Sequence, residues 1–124
     1  MANDDNIIQK LTEKGLIDER RIYCIGSVNK MDAATLLGGA IGGIASALES
    51  MVYVCVNGGE LIISRMNMDT RISTCTVAEL EVEKLKTGIM GGGKFVYRYH
   101  GKKTSLDCSN DFIKAIAPLV GVKL

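Results

Sequence analysis

Two apolar runs separated by a turn signal form the clearest hydrophobic pattern in this chain. Met51–Val56 and Leu61–Ile63 are rich in β-branched residues, which favour strands, and they flank Asn57-Gly58. A tight type I′ turn needs positive φ at both central residues, which Asn-Gly adopts at little cost, and Gly59 is available for a bulge. We therefore predict a β-hairpin that turns at Asn57-Gly58.

Strict alternation predicts a second hairpin between Lys94 and Cys108, with its turn at His100-Gly101. One face of its first strand carries Phe95, Tyr97 and Tyr99, and the other carries Lys94, Val96, Arg98 and His100. Together with a C-terminal helix, the inward faces of both hairpins predict a core that contains Val54, Val56, Leu61, Ile63, Phe95, Tyr97, Phe112 and Ile116.

Helical patterns lie at both ends of the chain. Residues 1–18 predict a short helix that Asp4 or Asp5 caps, with Gly15 just past its end, and the strand Arg20–Val28 follows it. At the other end, Ser109 or Asn110 caps a helix whose apolar residues share one face. Since Pro118 lacks an amide proton and clashes with the preceding turn, this helix should kink or end near Ala117.

Residues 77–87 carry two conflicting signals. Thr76-x-x-Glu79 matches a capping box and Gly88 suits the position after a helix end, which favours a helix. The alternation of Leu80 and Val82 with glutamates instead favours a half-buried strand. Local rules leave both structures open and slightly favour the helix.

The order of elements over Val52–Val120 resembles that of bacterial pleckstrin-homology-like (PH-like) domains. The matching features are the hairpin "VYVCVNGGELIISRM", the segment "VAELEVEKLKTGIMGGGKFVYRYHGKKTSLDCS" and the closing helix "NDFIKAIAPLV". The resemblance implies a mainly β (α+β) fold, a bent seven-stranded barrel with a C-terminal helix. It also implies one turn at Val77–Glu79 and then a strand at Leu80–Lys86.

Two parts of the chain are additions to that family pattern. Residues 1–18 form an N-terminal helical extension, and residues 31–50 form a glycine-rich insert between the first two strands. We expect the whole chain, residues 1–124, to be a single domain, since its length suits one core.

The insert contains the unusual stretch "LLGGAIGGIASALES", Leu36–Ser50. It is too short and too closely bounded by Asp32 and Glu49 to span a membrane, and it lacks the lysine of a phosphate-binding loop. Large apolar residues recur at helical spacing from Leu37 to Leu48, which predicts a helix from about Ala33 to Glu49.

A stripe of small residues runs along another side of this predicted helix and suits close contact between two backbones. The tentative interaction residues are Gly38, Gly39, Gly42, Gly43 and Ser46. Interior glycines cost a helix roughly 1 kcal/mol each against alanine, so it needs a packing partner. Three interpretations remain, in order of preference: the helix packs only on its own sheet, its small stripe also meets a second copy, or the segment is a mobile loop that orders on binding.

Composition and charge exclude some function classes. The net charge of +1, with no recognition motif, argues against nucleic-acid binding. Cys24, Cys55, Cys75 and Cys108 are far apart and form no closely spaced ligand pair, so no metal site is expected. The polar N-terminus does not match a signal peptide, so we expect a cytoplasmic protein whose four thiols are reduced.

Several basic residues concentrate in the second half of the chain and define a possible basic face: Lys84, Lys86, Lys94, Arg98, Lys102 and Lys103. Such a face can contact an acidic partner or an anionic lipid surface, although neighbouring glutamates favour a paired, solvated face. His100 with Asp107 or Cys108 shows no spacing typical of a catalytic pair, so we expect no catalytic residues and no cofactor.

These observations favour a non-enzymatic binding or scaffold module of PH-like fold that associates with itself, or with another protein, through the glycine-rich helix. The alternative is a peripheral membrane module that makes weak contact with lipid through the apolar insert and the basic face. The two differ in whether the partner is a protein or a bilayer.

Overall fold

A computed structural model describes residues 2–28 and 51–124 of the chain. Its helices and strands are α1 (Ala2–Glu13), β1 (Tyr23–Val28), β2 (Met51–Asn57), β3 (Glu60–Ser64), β4 (Arg71–Thr76), β5 (Glu81–Lys86), β6 (Gly92–Tyr99), β7 (Lys102–Ser109) and α2 (Asn110–Ile116). Short 3-10 turns cover Val77–Glu79 and Ala117–Leu119. The predicted strand at Arg20–Val28 is therefore shorter, beginning at Tyr23.

The seven strands form one curled antiparallel sheet in the order β4-β3-β2-β1-β7-β6-β5. The strands β1–β4 pair as successive neighbours, and so do β5–β7. The two groups meet where β1 pairs with β7, at Ser27 opposite Asp107 and Val28 opposite Leu106. This mainly β architecture, with one helix at each end, confirms the predicted class at the level of the sheet and its helices.

The concave face of the sheet holds the main core, and α2 closes over it. Phe112, Ile113 and Ile116 of α2 are buried among inward side chains from the strands. All eight residues predicted for the core are buried: Val54, Val56, Leu61, Ile63, Phe95, Tyr97, Phe112 and Ile116. The core prediction is confirmed because alternation on β3 and β6 and helical phase on α2 both indicate the inward face.

A second, smaller cluster lies on the convex face, where α1 packs against β2 and β3. Leu11 of α1 and the following Leu16 contact the outward side chains of Tyr53, Cys55 and Ile62. Strands β2 and β3 are therefore buried on both faces, which explains why Met51–Val56 reads as an unbroken apolar run instead of an alternating one.

The end of α1 is fixed by a Schellman motif. The amide of Gly15 donates to the carbonyl of Thr12, and the amide of Leu16 donates to the carbonyl of Leu11. The prediction of Gly15 just past the helix end is confirmed. The predicted caps are wrong, because α1 begins at Ala2 and both Asp4 and Asp5 lie inside its first turns.

The β2–β3 hairpin exists, but its turn is centred one residue later than predicted. Asn57 pairs with Glu60, so the two loop residues are Gly58 and Gly59. Gly58 has φ 60, whereas Gly59 is not among the residues with positive φ, which fits a type II′ turn and corrects the type I′ prediction. Asn57 is instead held within the strand, because its side-chain amide donates to the carbonyl of Gly15 at 2.7 Å.

The segment before β1 clamps this turn. The amide of Gly58 donates to Oδ2 of Asp18 at 2.7 Å, and Nη2 of Arg20 donates to the carbonyl of Gly58 at 2.6 Å. Arg20 also pairs with the Asp18 carboxylate at 2.7 Å. The hydrogen bonds from Arg20 and from the Gly58 amide hold the pKa of Asp18 well below its ordinary value of 3.8.

The remaining turn and cap predictions agree with the structure. His100 and Gly101 both have positive φ, 52 and 84, and form a two-residue type I′ loop between β6 and β7. The Ser109 hydroxyl caps α2 by accepting from the amide of Phe112 at 3.3 Å, and α2 gives way to a 3-10 turn at Ala117.

Residues 77–86 adopt the structure implied by the family resemblance. Val77–Glu79 forms one 3-10 turn, and β5 follows at Glu81–Lys86, paired with β6. The capping-box signal is wrong here, since the Thr76 side chain makes no cap hydrogen bond. Burial of Val82 and Leu85 against the main core stabilises the strand over the locally favoured helix.

Candidate binding surface

The loop between β5 and β6 has a narrow neck made of glycines. A Cβ at Gly93 would lie 2.0 Å from the carbonyl oxygen of Lys86 and 2.7 Å from Cδ1 of Ile113. A Cβ at Gly88 would lie 2.1 Å from the carbonyl oxygen of Gly92. Glycine is therefore required at both positions for the two sides of the loop to approach this closely.

Asn110, the first residue of α2, braces this neck with three hydrogen bonds. Its side chain accepts from the amide of Gly88 at 3.0 Å and donates to the carbonyl of Gly88 at 2.8 Å. Its backbone amide donates to the carbonyl of Gly91 at 2.9 Å. The loop is thus tied at two points to a helix that is itself anchored in the core.

The tip of the braced loop consists of two apolar side chains, Ile89 and Met90, which we call the apolar tip. Ile89 is fully exposed and Met90 is 91% exposed. Burial of a side chain of this size stabilises a fold by roughly 1.5–3 kcal/mol. Neither Ile89 nor Met90 contributes this stabilisation, because both are exposed. Two adjacent apolar side chains held in water at a braced position make this loop a candidate binding surface.

A groove lies beside the apolar tip on the convex face of the sheet. The pairing register sets Met51, Ser27, Asp107, Lys94 and Lys86 in one row across five strands, from β2 to β5. Residues paired directly across strands point to the same face, so these five side chains share the convex face.

Ile25 and the glycines of the neck complete the wall of this outer groove, whose volume is about 660 Å³. The groove therefore has an apolar end, at Ile25 and Met51, and a charged end near Lys86. Ile25 is 43% exposed on this face.

A small polar network crosses the middle of the groove. The Ser27 hydroxyl donates to Oδ2 of Asp107 at 3.2 Å, and Nζ of Lys94 lies 2.6 Å from Oδ1 of the same carboxylate. Both oxygens of Asp107 are therefore engaged, and the charge of Lys94 is compensated. Lys86 lies on the other side of Lys94 and takes part in no ion pair among the described residues.

The sheet register distributes the predicted basic residues over two faces. Lys84, Lys86, Lys94, Arg98 and Lys103 share the convex face of β5–β7, while Lys102 pairs with Tyr99 on the opposite face. Acidic residues interrupt the convex set: Glu83 contacts Arg98 and lies 3.6 Å from Nζ of Lys103. This face therefore carries less net positive charge than the number of lysine and arginine residues in the sequence indicates.

The other predicted interaction residues, Gly38, Gly39, Gly42, Gly43 and Ser46, lie outside the described residues. The same holds for the predicted helix over 33–49 and the insert as a whole. The chain enters this insert after Val28 and returns at Met51, which is one of the groove residues.

The groups considered for catalysis are not brought together. His100 lies at the β6–β7 turn with Nε2 3.0 Å from Oε1 of Glu79. Cys108 lies six residues past Lys102, the first residue of β7, and so about 20 Å from this turn at strand spacing. Asp107 is engaged in the groove with Ser27 and Lys94.

All four cysteines are free and buried, as predicted. Inside the sheet, a hydrogen bond between the thiols of Cys24 and Cys108 lowers the pKa of Cys24 and raises that of Cys108. Burial raises the pKa of Cys55 to about 12. These thiols lie in the core and do not present a nucleophile at the surface.

Sequence reasoning did not identify the apolar tip or the groove. The tip has a local signal, because Ile89-Met90 stands between glycines in "TGIMGGGK", where neither strand alternation nor helical phase assigns it to a core. The groove has no local signal, because its row of five residues exists only once five strands are in register.

Comparisons of this chain with protein-family models, with curated proteins and with solved structures give no match. Over residues 2–28 and 51–124, the helices are all too short or too polar to cross a bilayer.

Proposed function

We propose that this chain is a non-enzymatic binding module of PH-like type, located in the cytoplasm, that associates with itself. The observation that carries this proposal is the apolar tip: Ile89 and Met90 are exposed on a loop that Asn110 holds in place. A loop whose only task is to connect two strands has no need of large apolar side chains at its end. A protein partner removes them from water and recovers the burial that the fold forgoes.

Two features of the fold support the PH-like part of the proposal. The sheet is seven-stranded and curled, and a helix follows the last strand and covers the concave face. Both are features that the resemblance of Val52–Val120 implies. The four free thiols agree with the cytoplasmic location, where thiols stay reduced.

The groove chemistry favours binding over catalysis. The carboxylate of Asp107 accepts from Ser27 on one oxygen and pairs with Lys94 on the other, an arrangement that fixes the groove wall. A nucleophile with an adjacent base needs a free lone pair directed at a substrate. The apolar end at Ile25 and Met51 suits contact with an apolar side chain.

The proposal includes the glycine-rich insert as a contributor to self-association. Its two ends join the fold at Val28 and Met51, next to the groove. The substitution Gly42→Leu places a bulky side chain in the predicted small stripe and should weaken association while leaving the sheet intact.

The mass of the protein in solution tests the proposal. Sedimentation equilibrium over a range of concentrations should show a species heavier than the 13.3 kDa chain, and Gly42→Leu should shift the distribution towards the monomer. Circular dichroism of the variant should match that of the wild type. A wild-type protein that remains monomeric at the highest attainable concentration contradicts self-association.

A second candidate is a peripheral membrane module, which the position of the apolar tip next to Lys84 and Lys86 favours. Apolar side chains that enter the headgroup region, with lysines above an anionic surface, provide two contributions to membrane binding. Co-sedimentation with vesicles that contain phosphatidylserine, compared with neutral vesicles, measures this directly. Anionic-vesicle binding by a protein that is monomeric in solution supports this second candidate over the first.

A further inference from the structure

We propose that Asn57-Gly58 is a modification site, a latent site of deamidation that the contacts of Asp18 and Arg20 keep unreactive in the folded protein. This inference concerns the β2–β3 turn and is independent of the proposed self-association. Asn57 is the one asparagine in the sequence that is followed by glycine. Because glycine has no side chain to hinder ring closure onto the preceding residue, this dipeptide is the one in the chain most prone to the reaction.

The reaction needs only the groups of the turn and water. The backbone nitrogen of Gly58 attacks Cγ of Asn57, so a new carbon–nitrogen bond forms and the bond from Cγ to Nδ2 breaks. The proton of the Gly58 nitrogen passes to solvent, and Nδ2 takes up a proton from water and leaves as ammonia. Water then opens the cyclic imide at either carbonyl, which gives aspartate or isoaspartate. No oxidant or reductant takes part.

The attacking nitrogen is held by Asp18. The amide of Gly58 donates to Oδ2 of Asp18 at 2.7 Å, and Asn57 is paired with Glu60 at the end of β2. Ring closure requires rotation of the peptide group between Asn57 and Gly58, so this hydrogen bond has to break first. The depressed pKa of Asp18 makes its carboxylate a weak base, which does not remove the amide proton.

Arg20 holds the same turn from the carbonyl side. Its Nη2 donates to the carbonyl of Gly58 at 2.6 Å and pairs with the carboxylate of Asp18 at 2.7 Å. Both peptide groups next to the Cα of Gly58 are therefore fixed, one through its N–H and the other through its C=O. Hydrogen bonds to charged groups are stronger than those between neutral groups, and the Asp18 side chain is only 15% exposed, so water competes weakly for them.

The leaving group is engaged as well. Nδ2 of Asn57 donates to the carbonyl of Gly15 at 2.7 Å, in a partly buried position. A carbonyl oxygen is an acceptor, so it cannot supply the proton that Nδ2 needs to leave as ammonia. The folded turn thus restrains both the nucleophile and the leaving group of the reaction.

Deamidation weakens the attachment of α1 to the sheet. A carboxylate has no N–H, so it cannot donate to the carbonyl of Gly15, and isoaspartate also lengthens the backbone where Asn57 pairs with Glu60. Arg71 still donates to the Gly15 carbonyl at 3.2 Å, so the attachment is weakened and not abolished. Asn57→Asp, which is one of the products, should therefore lower the melting temperature by roughly 3–8 °C.

Incubation of the folded protein at mildly alkaline pH tests the role of Asp18. We expect Asn57 to deamidate at least about tenfold faster in Asp18→Ala than in the wild type, since a charged hydrogen bond no longer has to break. Peptide mapping by mass spectrometry follows the replacement of –NH₂ by –OH at this position. Asp111→Ala is the matched control and should deamidate at the wild-type rate, because Asp111 is exposed on α2, across the sheet from α1.

Two further measurements separate loss of the contacts from loss of the fold. The wild type in concentrated urea gives the rate of an unrestrained Asn57-Gly58, and circular dichroism shows whether Asp18→Ala is folded in buffer. Arg20→Gln keeps the carboxylate of Asp18 and removes its charged partner, so it is a milder change. We expect its rate to lie between those of the wild type and Asp18→Ala, and it replaces Asp18→Ala in the test if that variant is unfolded.

Each other outcome overturns a stated part of the inference. If the folded wild type deamidates at Asn57 as fast as the protein in urea, the turn does not protect the site. If folded Asp18→Ala and Arg20→Gln are both as slow as the wild type, strand pairing alone protects it and the role of Asp18 and Arg20 is wrong. A slower reaction in Asp18→Ala means that the carboxylate acts as a base. An unchanged melting temperature in Asn57→Asp shows that deamidation does not weaken the attachment of α1.

Discussion

Two hairpins of this sheet are braced in the same manner but end differently. The β2–β3 turn is clamped by Asp18 and Arg20, and it ends at Gly58 and Gly59, which offer no side chain. The β5–β6 loop is clamped by Asn110, and it ends at the two exposed apolar side chains of the apolar tip. The first brace completes the fold by tying the segment before β1 to the sheet. The second holds two apolar side chains in water.

The largest effect should come from the helix that supports the second brace. Phe112 is 2% exposed and anchors α2 on the concave face. Phe112→Ala should lower the free energy of unfolding by about 3–5 kcal/mol, because it leaves a cavity among closely packed side chains. Urea denaturation measures this value. A loss well below 1 kcal/mol means that α2 is peripheral and cannot hold Asn110 in place.

The second-largest difference should appear when a methyl group is added to a glycine in each of the two hairpins. Gly93→Ala places a Cβ against the backbone of β5, so the strands must separate, and we expect a loss of about 1–3 kcal/mol in unfolding free energy. Gly59→Ala is the matched control, since a Cβ there meets no atom within 4 Å and the φ of Gly59 is not positive. Thermal melts of both variants should show a large difference. Equal melting temperatures contradict the close approach at the neck.

Removal of the first brace should have a smaller effect that depends on pH. Asp18→Asn should cost about 1–2 kcal/mol at neutral pH through the loss of charged hydrogen bonds. The pKa of Asp18 is depressed in the folded state, so its contribution is complete above the ordinary value of 3.8 and is lost as the pH falls through the folded pKa.

The stability of the wild type should therefore decrease below about pH 4 more steeply than that of the Asp18→Asn variant. Asp69→Asn is a suitable control, because the Asp69–Lys14 pair is exposed and contributes little. If the free energies of unfolding of the wild type and of Asp18→Asn fall equally steeply with decreasing pH, Asp18 does not clamp the turn.

The smallest effect on stability should come from the apolar tip itself. Ile89→Ser with Met90→Ser removes side chains that make little contact in the monomer, so the free energy of unfolding should change by less than about 0.5 kcal/mol. Denaturation at low protein concentration tests this. A loss above 1 kcal/mol means that the tip already packs within its own chain.

Much of the sheet is predictable because its signals are local. The alternation around Phe95 and Tyr97, the His100-Gly101 turn and the Ser109 cap each depend on a few neighbouring residues, and all three are confirmed. The start of α1 and the centre of the β2–β3 turn are shifted from their predictions. The turn is decided by contacts from Asp18 and Arg20, which lie about forty positions away.

The candidate surface was not predictable in the same way. Its groove requires Met51, Ser27 and Asp107 to be adjacent, which depends on the pairing of strands distant in the sequence. The unbroken apolar run of β2 does indicate a contact with a distant part of the chain. A strand buried on both faces needs a second layer of structure, which α1 provides. The exposure of Ile89 is likewise a property of the whole fold, because it requires that the rest of the structure leave the loop uncovered.

The pairing of β1 with β7 has a consequence for synthesis of the chain. Ser27 and Asp107 are 80 positions apart, so β1 gains its second neighbour only after β7 has left the ribosome. At the usual rates of translation that interval is roughly 4–16 s. During it, β1 presents an unpaired edge to other nascent chains, and such edges promote aggregation. The closing contact of the sheet thus determines how long this edge stays open during synthesis.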